Sequence, residues 1–202
     1  MIGIIDYGMG NLASVENALH EVQQECLISS DVKVLGGCDK LILPGVGAFG
    51  DCMANINARH LHDFIEEEVS SGRPLLGICL GMQMLFEESY EKGVTKGFGF
   101  LSGKVVEIDD PSVVIPEIGW NELIWNHACD LQQKISAHPY VYYVHSYYAQ
   151  AQDDDLLAYS EYGRVKVAGI VRKKNVMGTQ FHPEKSGEDG LKILKYFAED
   201  FA

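Results

Sequence analysis

The pentapeptide Gly77-Ile78-Cys79-Leu80-Gly81 joins a buried apolar run to a helical pattern, and its residue types suit a nucleophile. Glycine two positions either side of a central cysteine matches the strand-to-helix elbow that presents serine in hydrolases, here with sulfur in its place. So sharp a turn leaves its neighbours no room for a Cβ. It puts the sulfur at the C-terminal edge of a sheet and at the start of a helix, where free N–H groups and the helix dipole favour thiolate over thiol. The Leu80 N–H lies where an oxyanion would form. Cys26, Cys38, Cys52 and Cys129 lack such framing and read as ordinary buried thiols.

A thiolate needs a base, and the base needs a group to orient it. Of the seven histidines, His182 stands out, because it follows an apolar strand and continues as His182-Pro183-Glu184. Residues two apart in extended chain share a face, so Glu184 reaches the imidazole and fixes its tautomer. The same pair reads alone as an exposed strand end; an elbow cysteine in the same chain makes a Cys79–His182–Glu184 triad the economical reading. His60 and His62 sit two apart on a helical pattern and diverge, His20 reads as a surface residue, and His127 and His138 fall in polar turns. His182-x-Glu184 also matches the H-x-E of zinc deaminases, but their P-C-x-x-C is missing. Gly8-Met9-Gly10-Asn11-Leu12-Ala13, with Asp31 downstream, matches a dinucleotide fingerprint, yet Asp6 would set a carboxylate beside the pyrophosphate. Pro44-Gly45-Val46-Gly47 ends another apolar strand. It reads either as a plain turn or, if it borders the elbow, as a second oxyanion donor through the Val46 or Gly47 N–H.

The elements that position these residues show in the hydrophobic pattern. Strand-like runs at 2–6, 26–29, 40–43 and 74–78 alternate with helical patterns. These are a helix capped by Asn11, one over 54–71 that could be two pieces, and one over 80–89. Near-continuous apolar strands between helices imply a mostly parallel sheet covered on both faces. From residue 103 the pattern becomes strand-rich, with runs at 103–108, 113–118, 140–148, 156–162, 165–172 and 176–181. Turns between them suggest antiparallel pairing. A last helix opens at Ser186 with Asp189 three residues on, like a capping box. The expected architecture is a single α/β domain over 1–202: a mostly parallel central sheet flanked by helices, with an antiparallel strand-rich second half.

The 202 residues are 47% apolar and 22% charged and carry a net charge of −13. That field repels nucleic acid and anionic membrane surfaces. No apolar run approaches the roughly 18 residues of a membrane-spanning helix. The N-terminus reads as a strand rather than a signal peptide. The five cysteines include no CxxC, which argues against paired disulfides and a thiolate zinc site. A soluble, cytoplasmic protein with no metal or organic cofactor is the expectation.

Six segments together resemble the class I (Cys–His–Glu) glutamine amidotransferases, and among them the glutaminase subunits of imidazole glycerol phosphate synthase in histidine biosynthesis. They are Ile4-Ile5-Asp6-Tyr7-Gly8-Met9-Gly10-Asn11-Leu12, Leu43-Pro44-Gly45-Val46-Gly47-Ala48-Phe49, Gly77-Ile78-Cys79-Leu80-Gly81-Met82-Gln83, Pro116-Glu117-Ile118-Gly119-Trp120-Asn121, Val144-His145-Ser146-Tyr147-Tyr148 and Gln180-Phe181-His182-Pro183-Glu184-Lys185-Ser186. The resemblance implies Cys79 as nucleophile, His182 as general base and acid, and Glu184 as orienter. It implies a glutamine pocket of Gln83, Glu91 and backbone groups of Gly47, Ser146 and Tyr147. It also implies a docking face for a (β/α)8-barrel cyclase partner, made by Pro116, Gly119, Trp120, Asn121 and Lys185, through which ammonia passes. Glu117 stands where this family commonly carries His. Two other classes fit the same residues: a stand-alone cysteine hydrolase of related fold, which needs no partner, and a non-catalytic regulatory subunit, against which the intact Cys79, His182 and Glu184 argue.

Overall fold

The computed structural model describes residues 1–202. Strands β1 (Ile2–Ile5), β2 (Cys26–Ser29), β3 (Lys40–Gly45) and β4 (Leu75–Cys79), with β14 (Val176–Thr179) from far downstream, run parallel in the order β2-β1-β3-β4-β14. β1 and β4 are buried along their whole length, as strands covered on both faces must be. Their alternation divides the core in two. Ile5, Leu41, Leu43 and Leu75 pack on one side with Phe49, Met53, Ile56, Leu61 and Ile65 of α3 (Phe49–Ala58) and α4 (Leu61–Ser70). Ile4, Ile42, Leu76 and Ile78 pack on the other with Val15 and Leu19 of α1 (Leu12–Glu21) and Ile193, Leu194 and Phe197 of α6 (Gly187–Glu199). Each such side chain, fully buried, contributes about 1.5–3 kcal/mol.

The second half is antiparallel, as its turns suggest. β13 (Val165–Lys173) and β12 (Leu156–Tyr162) extend the main sheet beyond β14, and β9 (Ile124–Trp125) closes it. β8 (Glu117–Glu122) pairs with β10 (Tyr140–His145) in a separate two-stranded sheet. A third sheet has the order β11-β7-β5-β6, from β5 (Phe86–Ser89), β6 (Thr95–Lys96), β7 (Leu101–Glu107) and β11 (Tyr147–Ala151).

Several local expectations give way to tertiary contacts. The helix after Cys79, α5, stops at Met84 instead of running to 89. The Met84 and Leu85 carbonyls, which would continue it, accept from the Phe98 and Leu101 N–H groups, and the chain goes on as β5. The strand expected at 113–118 begins only at Glu117; Val114 is 77% exposed and has no face to bury. The run 140–148 is broken at Ser146, where the chain leaves the β8 pairing for that with β7. The helical run 54–71 begins earlier, at Phe49, and is split at His60, which takes a left-handed conformation. A short helix α2 (Val32–Leu35), capped by Asp31 accepting from the Lys33 N–H, went unanticipated. Neither expected cap forms through its own side chain at Asn11 or Ser186. Ser186 instead donates to the His182 carbonyl at 2.6 Å and accepts from the Tyr142 N–H at 2.9 Å. Asp189 accepts from the Ser136 N–H at 2.8 Å.

The elbow is as tight as its glycines imply. Cys79 has φ 55° and ψ −112°, a conformation costly for a residue with a side chain. A Cβ on Gly81 would lie 1.8 Å from the Leu43 carbonyl oxygen, and one on Gly77 2.7 Å from backbone atoms of Gly81 and Met82. Gly81→Ala is therefore expected to destabilise the fold by about 3 kcal/mol or more, because only backbone can yield. Urea unfolding of the variant measures this, and an unchanged midpoint would contradict it.

Candidate active site

Three neighbouring parallel strands end together. The register pairs Gly45 with Cys79 and Thr179 with Ile78, so the residues after β3, β4 and β14 emerge side by side at the carboxyl edge. This is where open α/β sheets bind ligands. The edge opens into a cavity of about 370 Å³ bordered by Val46, Gly47, Cys79, Leu80, Gln83, Glu91, Pro116, His145, Ser146, Tyr147 and His182.

His182 follows β14 into the turn Pro183–Lys185 and is pinned to β10 by its N–H, which donates to the Tyr142 carbonyl at 3.0 Å. Its Nδ1 lies 2.8 Å from Glu184 Oε1, and the two side chains are 3% and 1% exposed. With Nδ1 donating to the carboxylate, Nε2 is the free nitrogen, and Cys79 is the group on that side. Nε2 makes no well-aligned hydrogen bond within the chain. Such contacts are often loose without substrate and tighten with it. Burial alone would favour the neutral imidazole. The neighbouring Cys79 sulfur and the Glu184 carboxylate outweigh it and hold His182 up to about 10 against an ordinary 6.5. The structure thus brings Cys79, His182 and Glu184 together in the order a nucleophile, base and orienter require. Because α5 has only five residues, the dipole acting on the sulfur is that of little more than one turn.

The remaining expected residues fall into place unevenly. Leu80, Val46 and Gly47 all border the cavity beside the sulfur. Burial pushes the Cys52 thiol up, and it donates to the Val46 carbonyl at 3.4 Å. The Gly47 N–H, anti to that carbonyl across a trans peptide, points away from the core. Gln83 uses its amide nitrogen inside the chain, donating to the Tyr147 carbonyl at 2.8 Å and to Gln180 Oε1 at 3.0 Å. Its amide oxygen is left to offer a ligand. Glu91 accepts the Phe49 N–H at the head of α3 through Oε2 at 2.8 Å, which holds its carboxylate at the cavity rim. Of the expected docking residues, Trp120 is 56% exposed and Lys185 and Pro116 are exposed. Asn121 is half-buried and spends its amide within the chain, donating to Glu117 on its own strand and to the Glu161 carbonyl of β12.

Gln180 was not singled out from sequence. It is fully buried, and its Nε2 lies 3.8 Å from the Cys79 sulfur, 101 positions away in the chain. The available signal was its place two residues before His182, on the same face of an extended run.

The chain matches the glutamine amidotransferase class-I family over residues 4–201. It is 51% identical over 203 residues to "Imidazole glycerol phosphate synthase subunit HisH" of Geobacillus sp. (strain WCH70), covering 98% of this chain and 96% of that one. It is 49% identical over 199 residues to the protein of the same name from Lactococcus lactis, covering 98% of both. A solved structure described as a glutamine amidotransferase superposes with a TM-score of 0.75 at 20% identity, over 98% of this chain and 97% of the other, a likeness of fold.

Two outcomes are expected from this geometry. A reaction that needs the His182 proton should persist as pH rises and fall as it passes about 10. Glu184→Gln removes a raising charge, so the alkaline limb should move to lower pH, with kcat down roughly a hundredfold or more. A pH–rate profile reads both, and an unmoved limb would count against the pairing. Gln180→Leu takes a donor from the sulfur. Iodoacetamide alkylation of Cys79 should then slow by about tenfold at neutral pH, the scale of one lost hydrogen bond to the sulfur; an unchanged rate would remove Gln180 from the site.

Proposed function

This chain belongs to the class-I glutamine amidotransferases, and from that membership we propose that it is the glutaminase subunit of an imidazole glycerol phosphate synthase. It hydrolyses glutamine to glutamate and ammonia and passes the ammonia to a cyclase subunit in histidine biosynthesis. The single observation that carries the chemistry is the His182 imidazole, held by Glu184 on one side and facing Cys79 on the other, at the wall of one cavity.

The steps follow from the atoms present. The Cys79 sulfur, its proton on His182, attacks the side-chain amide carbon of glutamine. Charge builds on the amide oxygen beside the Leu80 N–H and the Val46–Gly47 loop, where fixed backbone donors act without reorganising. His182 hands its proton to the leaving nitrogen, ammonia departs, and a glutamyl thioester remains. Water then attacks the thioester as His182 takes its proton, and glutamate leaves. The high His182 value suits the first half, since a protonated imidazole must wait for the leaving group. Gln83, Glu91, Ser146 and Tyr147 form the walls that would grip the amino-acid end of glutamine.

The mouth of the cavity supports a partner. Ile118 (62% exposed) and Val144 pair across β8 and β10, and Trp120 lies on the same side of β8. Gly187 approaches the Trp120 ring, which brings the Lys185 turn alongside. An apolar patch beside an active-site opening, on a chain of net charge −13, fits a partner with an apolar centre and a basic rim. No helix is long and apolar enough to cross a membrane.

Glutamate release from glutamine, measured with the chain alone and with the cyclase subunit and its nucleotide substrate, tests the proposal. Strong release is expected only with the loaded partner. Cys79→Ala should abolish it while binding the partner normally. Full release without any partner would favour a stand-alone hydrolase, and hydrolysis surviving in Cys79→Ala would overturn the assigned nucleophile.

A further inference from the structure

A second buried histidine–carboxylate pair stands at the wall of the same cavity, with His145 on the lining and Glu117 behind it, and the steps above make no use of it. Glu117 begins β8, His145 ends β10, and the antiparallel register sets them opposite one another. Each side chain is only 3% exposed, and His145 Nε2 lies 3.1 Å from Glu117 Oε2. The approach is oblique: the two atoms meet at ion-pair distance, neither completes a straight hydrogen bond, and neither has another partner. Their other ends are fixed. Glu117 Oε1 accepts from Asn121 Nδ2 at 3.0 Å, and His145 Nδ1 is 2.9 Å from the Tyr147 carbonyl oxygen.

The donor count assigns the proton. A carbonyl only accepts, so Nδ1 carries a hydrogen. A bare Nε2 would face a buried carboxylate lone pair to lone pair, leaving the charge uncompensated. One of the two atoms therefore carries a proton, and the pair is neutral as a whole whichever one it is. The Tyr147 carbonyl takes a second donor, Gln83 Nε2 at 2.8 Å, and Gln83 continues to Gln180 and so to the Cys79 sulfur. A line of polar contacts thus runs from Asn121, beside exposed Trp120, to the nucleophile.

Backbone ladders hold this wall on either side of Ser146. Ser146 joins two different sheets, with β10 on one side of it and β11 on the other. Its carbonyl accepts from the Ile108 N–H at 2.9 Å, and the Tyr147 carbonyl that follows meets the side chains of Gln83 and His145. We propose that Glu117 and His145 are a positioning pair: by holding the Tyr147 carbonyl they set the Ser146–Tyr147 wall and the Gln83 amide at the spacing that binds glutamine. This rests on the glutaminase reading above. The pair acts through Tyr147 and Gln83, so its loss should appear in glutamine affinity and leave the Cys79 chemistry in place.

The test uses the complex with the cyclase subunit and its nucleotide substrate. Glu117→Met, His145→Phe and the double variant are compared with Glu117→Gln. The double variant replaces both partners with apolar groups of similar volume, which is close to neutral for stability and keeps a folded protein available. Each single variant and the double variant should raise the KM for glutamine by about tenfold, the scale of one lost hydrogen bond. Their kcat and Cys79 alkylation rate should stay within about threefold of the unmodified chain, less than that one bond is worth. Glu117→Gln, whose amide can donate to a bare Nε2 and still accept from Asn121, should stay near the unmodified KM. An unchanged KM in the double variant overturns the proposal. So does a joint fall of kcat, alkylation rate and thermal midpoint, which would mark the pair as packing alone. No glutamate release from the unmodified complex would strike the glutaminase reading instead; calorimetric glutamine binding to Cys79→Ala, with and without the pair, would then still decide the pair's role.

Discussion

Gly81 lies against the Leu43 carbonyl so closely that no side chain fits between them, and a Cβ on Gly45 would lie 2.6 Å from the Gly81 nitrogen. These contacts join β3 to the turn after β4 and force Cys79 into its strained backbone conformation. The strain persists because the surrounding sheet over-determines it. β4 is a central strand, hydrogen-bonded on both sides by β3 and β14 and covered by core on both faces. The burial of Leu43, Leu75, Leu76 and Ile78 offsets a local cost of about 1–3 kcal/mol. Relaxing the elbow would move the sulfur away from His182 and the Leu80 N–H away from the cavity together, since they share one turn.

The electrostatics follow from that placement. Removing water from an imidazole favours its neutral form, and His182 is well buried, yet it is held strongly towards its protonated form. The difference comes from two groups: a sulfur that tertiary structure brings over on the next strand, and a carboxylate two residues on in the same tight turn. An imidazole so placed holds its proton firmly until the sulfur has reacted. Once the sulfur is bonded to carbon, its charge no longer acts on the ring, the proton passes more readily to the leaving nitrogen, and the neutral imidazole is then free to accept the water proton. One geometry thereby serves both halves of the proposed hydrolysis.

The site also contains polar groups that do no bond-making. Gln83, Gln180, Glu117, His145 and the Tyr147 carbonyl interlock in and behind the cavity wall, and their donors and acceptors are largely matched within the chain. Networks of this kind fix geometry because each member limits its neighbour, and a gap at any point leaves a buried group unpartnered. They lie between the exposed edge of β8 and the sulfur, so the surface proposed to meet a partner and the site proposed to hydrolyse glutamine are built on the same strands.

Much of this was legible along the chain. The elbow and the parallel strands needed only local spacing, because a Cβ clash and a continuous apolar run are properties of neighbours. The histidine–glutamate contact was legible too, but it forms across the turn Pro183–Lys185 and not along the extended strand that a two-residue period assumes. The family followed from six segments spread over nearly the whole length. What local pattern missed was decided by distant chain. α5 ends at Met84 because residues 98 and 101 take its carbonyls, Ser146 breaks a run because two sheets claim its flanks, and Asn121 spends its amide on Glu117 and the Glu161 carbonyl. Gln180 and the Glu117–His145 pair have no signature of their own, since a buried polar side chain has meaning only through the partner facing it. The sequence by itself determined which residues could react and which runs had to be buried. Only the tertiary structure decided that β14 lies beside β4, because strand order is set by non-local packing, and that adjacency brings His182 to Cys79.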